Sequence, residues 1–338
     1  MKRWVSSQPT ESAKGRFASK AGRCYEMAIG KVERYIHDKL EREGALLMSL
    51  IDPDKQPFEK GAEVAEASAE AGADIILVGG SIGAQGMLLD KTTKMIRECV
   101  NIPIVLFPGN VGTITPYADA LYFMYVMNSR EVYWLSTAQI QGAPVVKRMG
   151  IEPIPTGYII LEPGKAVGWV SNANLIPHAR GDLAAATALA AEYMGARIIV
   201  TDSGSGAEQP APPALVKAVR SVTTVPYFYA GGCRTPEQAT GIINAGADGI
   251  QIGTAFEMEN DEKLQEKVAS MVKAIKTAGR ERVQNGKPPE KPDLPMFRVP
   301  RRIFRMPEIH KPDFKWKFRR RKDGKEDCKH EEEKVIKK

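Results

Sequence analysis

Residues 225–256 read VPYFYAGGCRTPEQATGIINAGADGIQIGTAF, and this stretch decides the fold. Residues 225–230 are apolar and aromatic, the length of a buried strand. Gly231 and Gly232 follow; without Cβ atoms they let the chain bend and bring backbone N–H groups close to a ligand. Thr235 stands where a helix N-cap belongs, with Pro236 at the first helical position and Ala245-Gly246 at the end. Residues 248–252 give the next strand, which stops at Gly253-Thr254. Two consecutive strand ends bearing small residues, about twenty positions apart, are how a (β/α)8 barrel makes a phosphate site from its last two loops. One such turn is only a turn; the pair in this order points to phosphate binding.

Working outward, the same alternation recurs. Strands are expected at 45–51, 74–78, 103–107, 120–126, 153–161 and 197–201. Helices are expected at 26–43, 58–71, 87–100, in a region ending at Met149, and at 182–194, 213–220 and 261–276. The exception is PGNVGTITPYAD (108–119), too short and too rich in Gly, Pro and Thr for a crossover helix. It predicts an extended connection, so the barrel lacks its third helix. Eight strands over about 250 residues fit a TIM barrel. A doubly wound sheet shares the alternation, but the echo of AGADIILVGG (71–80) in AGADGIQIGT (245–254) favours the barrel.

The composition, 43% hydrophobic and 26% charged over 338 residues, describes a globular chain with ample core material. No apolar run reaches the ~18 residues that span a bilayer, and MKRWVSSQPTESAKGRFASK lacks the apolar region of a secretory signal. Cys24, Cys99, Cys233 and Cys328 are scattered, which suggests neither a disulfide framework nor a zinc site and fits a reducing, cytoplasmic setting. Of 48 basic and 41 acidic residues, 18 and 10 fall in 286–338, leaving 30 and 31 for the rest. The net charge of +7 therefore belongs to the tail, and the near-neutral body argues against nucleic-acid binding as the core activity. The chain divides into a disordered leader (1–25), a barrel domain (26–285) and a basic, Pro-rich tail (286–338).

Active sites of such barrels lie at the strand C-termini. Here those ends carry carboxylates, small residues and backbone donors, but no His, no Lys placed as a Schiff-base former and no Ser–His–Asp set. Acyl transfer and imine chemistry are poorly served. A phosphorylated substrate and a divalent cation are well served, since Mg²⁺ uses one or two carboxylates plus phosphate oxygens and water. Asp52, at the end of the first strand, is the best ligand; the competing reading makes Asp52-Pro-Asp54 a turn with Asp54 capping the next helix. Ser81 is a ligand, a diphosphate contact or a helix cap. Glu162, in LEPG, is a general base for a hydroxyl or a salt-bridged structural group. Tyr158 reaches the pocket or packs beside it. DSGSG (202–206) adds a third loop of free N–H groups. The aromatic and Met cluster ALYFMYVMNSREVYWL (120–135) is a buried strand running into a helix, or the wall of an apolar channel.

LIDPDK (50–55), GGS (79–81), MNSR (127–130), IPTGYIILEPG (154–164), DSGSG (202–206), YAGGCRT (229–235) and GADGIQIGT (246–254) resemble, in order and spacing, the geranylgeranylglyceryl phosphate synthases, PcrB-like prenyltransferases of ether-lipid synthesis. The resemblance spans roughly residues 30–280 and looks like the second of the two family groups. It implies a modified TIM barrel with the third helix replaced by an extended segment. It implies sn-glycerol 1-phosphate as acceptor, geranylgeranyl diphosphate as donor, Mg²⁺ as cofactor and a dimer or hexamer. By motif, Asp52 and Ser81 would bind the metal. Tyr158, Ile159, Ile160, Leu161, Glu162, Pro163 and Gly164, with Gly204, Ser205, Gly231, Gly232, Gly253 and Thr254, would surround the glycerol phosphate, and Glu162 with Tyr158 would orient or deprotonate its hydroxyl. Departures are small: LMSLIDPDK has a less polar lead-in than many relatives, and Cys233 stands where Ile is frequent. Rival readings are a phosphate-binding isomerase or lyase barrel and a catalytically idle barrel scaffold whose working part is the tail; missing general-acid residues at the strand ends weigh against the first, and intact Asp52, Ser81 and Glu162 argue against the second.

The tail has no counterpart in that resemblance. Five prolines between 288 and 300 forbid a regular helix. It is a solvated extension, or a surface anchor in which Phe297, Ile303, Phe304, Phe314, Trp316 and Phe318 alternate with Arg and Lys against an anionic membrane. Nucleic-acid binding uses the same residue types but is not expected.

Overall fold

The computed structural model describes residues 29–257 and 261–285; the expectations for the leader and the tail lie outside them. Eight parallel strands close into a barrel in sequence order: β1 (Leu46–Ile51), β2 (Ile75–Val78), β3 (Ile104–Leu106), β4 (Ala120–Val126), β5 (Glu152–Ile160), β6 (Ile198–Asp202), β7 (Tyr227–Ala230) and β8 (Gly249–Ile252). Strand β1 pairs with β2 through Met48 and Ile75 and with β8 through Leu46 and Gly249, so the sheet has no edge and is not doubly wound.

Both faces of each strand are buried, as a parallel sheet wrapped by helices requires. The period of two sorts the side chains. Leu46, Met48, Ile75, Leu77, Val105, Tyr122, Tyr158, Val200 and Phe228 fill the barrel interior. Leu47, Ile51, Ile76, Val78, Leu121, Ile159, Leu161 and Ile250 pack outward. Each contributes about 1.5–3 kcal/mol on burial if it is a large aliphatic or aromatic group.

The outer ring is α2 (Phe58–Glu70), α3 (Met87–Cys99), α4 (Ala138–Met149), α6 (Gly181–Tyr193), α7 (Pro213–Arg220), α8 (Pro236–Asn244) and α10 (Asp261–Asn285), with α1 (Lys31–Glu43) before β1 and two short helices, α5 (Lys165–Val170) and α9 (Thr254–Glu257). Thr235 caps α8 as expected, accepting from the Gln238 N–H at 3.3 Å while Gln238 Oε1 accepts from the Thr235 N–H at 3.2 Å. The α10 helix runs nine residues past its expected end at 276 because Arg282 is anchored to Asp248 at 2.9 Å and to the Ala247 carbonyl.

Between β3 and β4 no helix forms. The chain is held by an Asx turn in which the Gly112 N–H donates to Asn110 Oδ1 at 2.7 Å and Thr113 Oγ1 donates to the Asn110 carbonyl at 2.6 Å. After β4 a π-helical turn, Tyr133–Thr137, leads into α4, which carries Pro144 internally. Periodicity revealed only the end of that helical region. Even without that helix the outward Ile104, Leu106 and Leu121 stay buried, while Phe123 and Tyr125 on the outer side of β4 are only half-buried.

Candidate active site

Gly231 and Gly232 follow the end of β7 at the mouth of the barrel. They have φ of 91° and 74°, a region L side chains rarely adopt. A Cβ on Gly232 would meet the Gln209 carbonyl oxygen at 2.3 Å. With Ser205, Arg234, Gly253 and Thr254 they enclose an open space of about 470 Å³. Ser205 Oγ and Thr254 Oγ1 share a hydrogen bond of 2.8 Å across it, and α9 begins at Thr254. This is the loop-and-short-helix arrangement that suits a phosphate.

Beside the cradle lies a second space of about 630 Å³. Asp52, Ser81, Phe107, Met124, Trp134, Tyr158 and Asp202 stand on its wall; Leu50, Asp202 and Ser205 belong to both spaces. Asp52 is buried, with its N–H donating to Glu257 Oε1 at 3.3 Å and its carboxylate paired with the Lys55 ammonium. Burial foremost, with the charge of Asp52 next, raises the pKa of Glu257. Burial, the largest single effect at Lys55, would lower its pKa, but the charge and hydrogen bond of Asp52 together with the charges of Glu257 and Asp54 raise it. Asp52 and Ser81, from different strand ends, thus share one cleft.

Tyr158 and Asp202 are both buried and joined: Tyr158 Oη donates to Asp202 Oδ2 at 2.5 Å, and Asp202 Oδ1 accepts from the Gly204 N–H at 2.6 Å. Burial and the adjacent carboxylate push the Tyr158 phenol well above its ordinary value, so it stays protonated and donates to Asp202. Burial raises Asp202, against the two hydrogen bonds that favour its charged form.

The other anticipated residues divide. Ile159 and Leu161 point outward into the packing between sheet and helices, and Ile160 into the barrel interior, so none presents its side chain at the mouth. Gly164 reaches the neighbouring loop through its N–H, which donates to the Ser203 carbonyl at 3.1 Å. Gly204 packs so tightly that a Cβ would lie 2.6 Å from the Gly164 carbonyl oxygen. Glu162 and Pro163 are exposed, and neither is among the residues walling the central cleft. Asp54 is exposed too, and its carboxylate lies beside Gly80 and Gly83.

MNSR proves architectural: Asn128 bridges β4 and β5 by accepting from the Ile160 N–H at 3.0 Å and donating to its carbonyl at 2.8 Å. Ser129 Oγ donates to the Ser171 carbonyl at 2.6 Å, and Arg130 to Asn174 Oδ1 at 2.9 Å. Asp202, Lys55 and Glu257 were not singled out from the sequence. The first two sit inside quoted motifs, where the loop and the carboxylates drew the reading; Glu257 carries no local signal.

A third space of about 430 Å³ runs outward under the helix-free connection, lined by Pro108, Ile114, Phe123, Met124, Trp134, Gly142 and Val146. It shares Pro108, Met124 and Trp134 with the central cleft. The segment 120–135 is a buried strand running into a helix, and its residues Tyr122, Met124 and Trp134 both pack in or against the barrel core and line the groove.

Among the described residues no three His, Cys, Asp or Glu side chains converge as a cation cage. The cleft holds two carboxylates, Asp52 and an Asp202 already hydrogen-bonded through both oxygens, and the Ser81 hydroxyl; that set fits Mg²⁺, which fills its octahedron with water and phosphate oxygens, and does not fit a metal that needs a protein cage.

Fold and site define a phosphate-binding (β/α)8 barrel whose cradle opens into an apolar groove. Residues 37–273 match the model of the PcrB family, and the chain belongs to that family. It is 48% identical over 251 residues to the geranylgeranylglyceryl phosphate synthase of Thermococcus kodakarensis, covering 74% of this chain and 99% of the relative. It is 44% identical over 247 residues to that of Methanococcoides burtonii, covering 73% and 99%. A crystal structure of (S)-3-O-geranylgeranylglyceryl phosphate synthase from Thermoplasma acidophilum, in complex with substrate sn-glycerol-1-phosphate, superposes with a TM-score of 0.70 at 33% identity, covering 74% of this chain and all of that one.

Proposed function

We propose that this protein is a prenyltransferase that joins geranylgeranyl diphosphate to the 3-hydroxyl of sn-glycerol 1-phosphate, making the first ether bond of archaeal-type membrane lipids. The observation that carries this reading is the continuity of three spaces: a phosphate cradle, a cleft with Asp52 and Ser81, and an apolar groove. Two substrates, one small and phosphorylated and one long and lipophilic, are matched by that layout.

In the reaction a new bond forms between the glycerol oxygen and the prenyl C1, the bond from C1 to the diphosphate breaks, and the hydroxyl proton passes to a base. The cradle holds the acceptor by its phosphate and so fixes the direction of its hydroxyl, converting an encounter into a positioned attack. The Tyr158 hydroxyl, held by Asp202, orients the reacting groups at the cleft floor. Glu162, exposed and two residues past the end of β5, is proposed to accept the proton. Asp52 and Ser81 would hold Mg²⁺, which when bound neutralises the diphosphate and eases its departure. The groove takes the hydrocarbon and keeps water from the allylic carbon.

A homo-oligomer, dimer or hexamer, is the assembly the family resemblance implies. Among the described residues no helix is long and apolar enough to cross a membrane; a cytoplasmic enzyme touching the membrane peripherally fits a lipid donor. The test is labelled sn-glycerol 1-phosphate incubated with C15, C20 and C35 diphosphates and Mg²⁺. Label should enter the organic phase with the C20 donor; label remaining in water with every donor would refute the reading.

A further inference from the structure

Lys55 lies three residues past Asp52, with its side chain about two-fifths exposed (41%). Its ammonium pairs with the Asp52 carboxylate, lies 3.7 Å from Glu257 Oε2 and donates to Ser205 Oγ at 3.1 Å. Ser205 in turn is hydrogen-bonded to Thr254 on the far lip of the cradle. Lys55 therefore stands where the central cleft and the phosphate cradle meet, in touch with a residue that belongs to both.

The charges around that seam are lopsided. Asp52, Asp202 and Glu257 supply three carboxylates with side chains largely or wholly removed from water. Against them stand Lys55 and, on the opposite wall of the cradle, Arg234, one of whose amino groups is spent on the Ala207 carbonyl at 3.1 Å. The remaining cradle donors are hydroxyls and backbone N–H groups, which carry no net charge. A phosphate entering beside these carboxylates needs a cation on their side of it. An ammonium on a four-carbon stem has three rotatable donors, and it can turn onto an anion while keeping its bond to Ser205.

We propose that Lys55 is a shared cation, paired with Asp52 in the empty enzyme and turned onto the acceptor's phosphate when the cradle fills, which releases Asp52 to the donor side. This rests on the two-substrate reading above. The acceptor's phosphate is preferred to the donor's diphosphate as its partner because Ser205 and Thr254, the residues that lead away from Lys55, line the cradle.

The test is calorimetric titration of the full chain, with EDTA present, using sn-glycerol 1-phosphate in one arm and inorganic pyrophosphate in the other. In K55M the glycerol phosphate affinity falls roughly tenfold or more, as expected for loss of a charge-assisted hydrogen bond, while pyrophosphate affinity changes by less than about threefold. K55R, which keeps the charge, retains most of the wild-type affinity. Unchanged glycerol phosphate binding in K55M overturns the proposal. So does a loss confined to pyrophosphate, or a K55R that falls as far as K55M, since the effect is then one of the donor side or of shape. Failure of the wild type to bind glycerol phosphate overturns instead the reading on which the proposal rests.

Discussion

At the scale of single residues, the site is a set of carboxylates made different by their surroundings. Asp202 is locked by Tyr158 and a backbone N–H, Glu257 by the Asp52 N–H, whereas Glu162 is exposed and lines none of the three spaces. If Glu162 takes the proton, Glu162→Gln lowers kcat by about 10²–10⁴-fold, the usual worth of a general base, with glycerol phosphate affinity kept; steady-state kinetics alongside calorimetry checks both halves, and near-normal turnover would remove Glu162 from the role. Asp52→Asn should abolish Mg²⁺-dependent turnover, and rates that still rise with added Mg²⁺ would move the cation elsewhere. Asp52 and Ser81 could be read from the sequence because they follow strand ends, and Tyr158 because it lies near the end of β5; all three line one cleft. The sequence did not reveal the Tyr158–Asp202 pair, because the two residues are 44 positions apart and meet only through the β5–β6 register.

At the scale of elements, the absent helix between β3 and β4 is the feature with functional consequence. It was legible in PGNVGTITPYAD, whose glycines and prolines cannot sustain a crossover helix. What could not be read there was the neighbour that flanks the opening: α4 enters through a π-helical turn and carries Pro144, and turns of that kind have no period in sequence. Gly142 is buried and lines the groove, and a Cβ there would make an ordinary van der Waals contact with Ile114 Cδ1 at 3.6 Å. Gly142→Phe is therefore tolerated by the helix and fills the groove. Competition assays should show kcat/KM for the C20 donor lowered by at least about tenfold, ~1.4 kcal/mol in the transition state, with a C10 donor little affected. Equal loss for both lengths would mean that the hydrocarbon lies elsewhere.

At the scale of the whole molecule, the mouth does chemistry while the opposite end holds the barrel shut. There Lys276 of α10, buried, binds both oxygens of Asp74 at 2.6 and 2.7 Å, the Ala45 carbonyl at 3.0 Å and Glu43 at 2.7 Å. Lys276→Met strands the buried Asp74 carboxylate and should cost about 3–5 kcal/mol in urea unfolding; a change under 1 kcal/mol would make this network dispensable. Burial alone would raise the Glu43 pKa, but hydrogen bonds from Lys276 and Lys39 overcome it and hold the carboxyl at about 2, against 4.5 unfolded. Its contribution is therefore complete above about pH 4.5 and is lost as the pH falls towards 2, so the acid limb of the stability profile should shift in Glu43→Gln. The helices α1 and α10 that make this closure were visible as periodic segments. Their union through Lys276 was not, because nothing in a helix's own period says which lysine will be buried.

The central claim is that the glycerol hydroxyl itself attacks the prenyl carbon. It is tested most directly by supplying geranylgeranyl diphosphate and sn-glycerol 1-phosphate labelled with ¹⁸O at the 3-hydroxyl, then weighing the products. The account predicts one lipid carrying both the C20 chain and the ¹⁸O, with unlabelled diphosphate released. A lipid without the label, or label recovered in the diphosphate or in water, would contradict it.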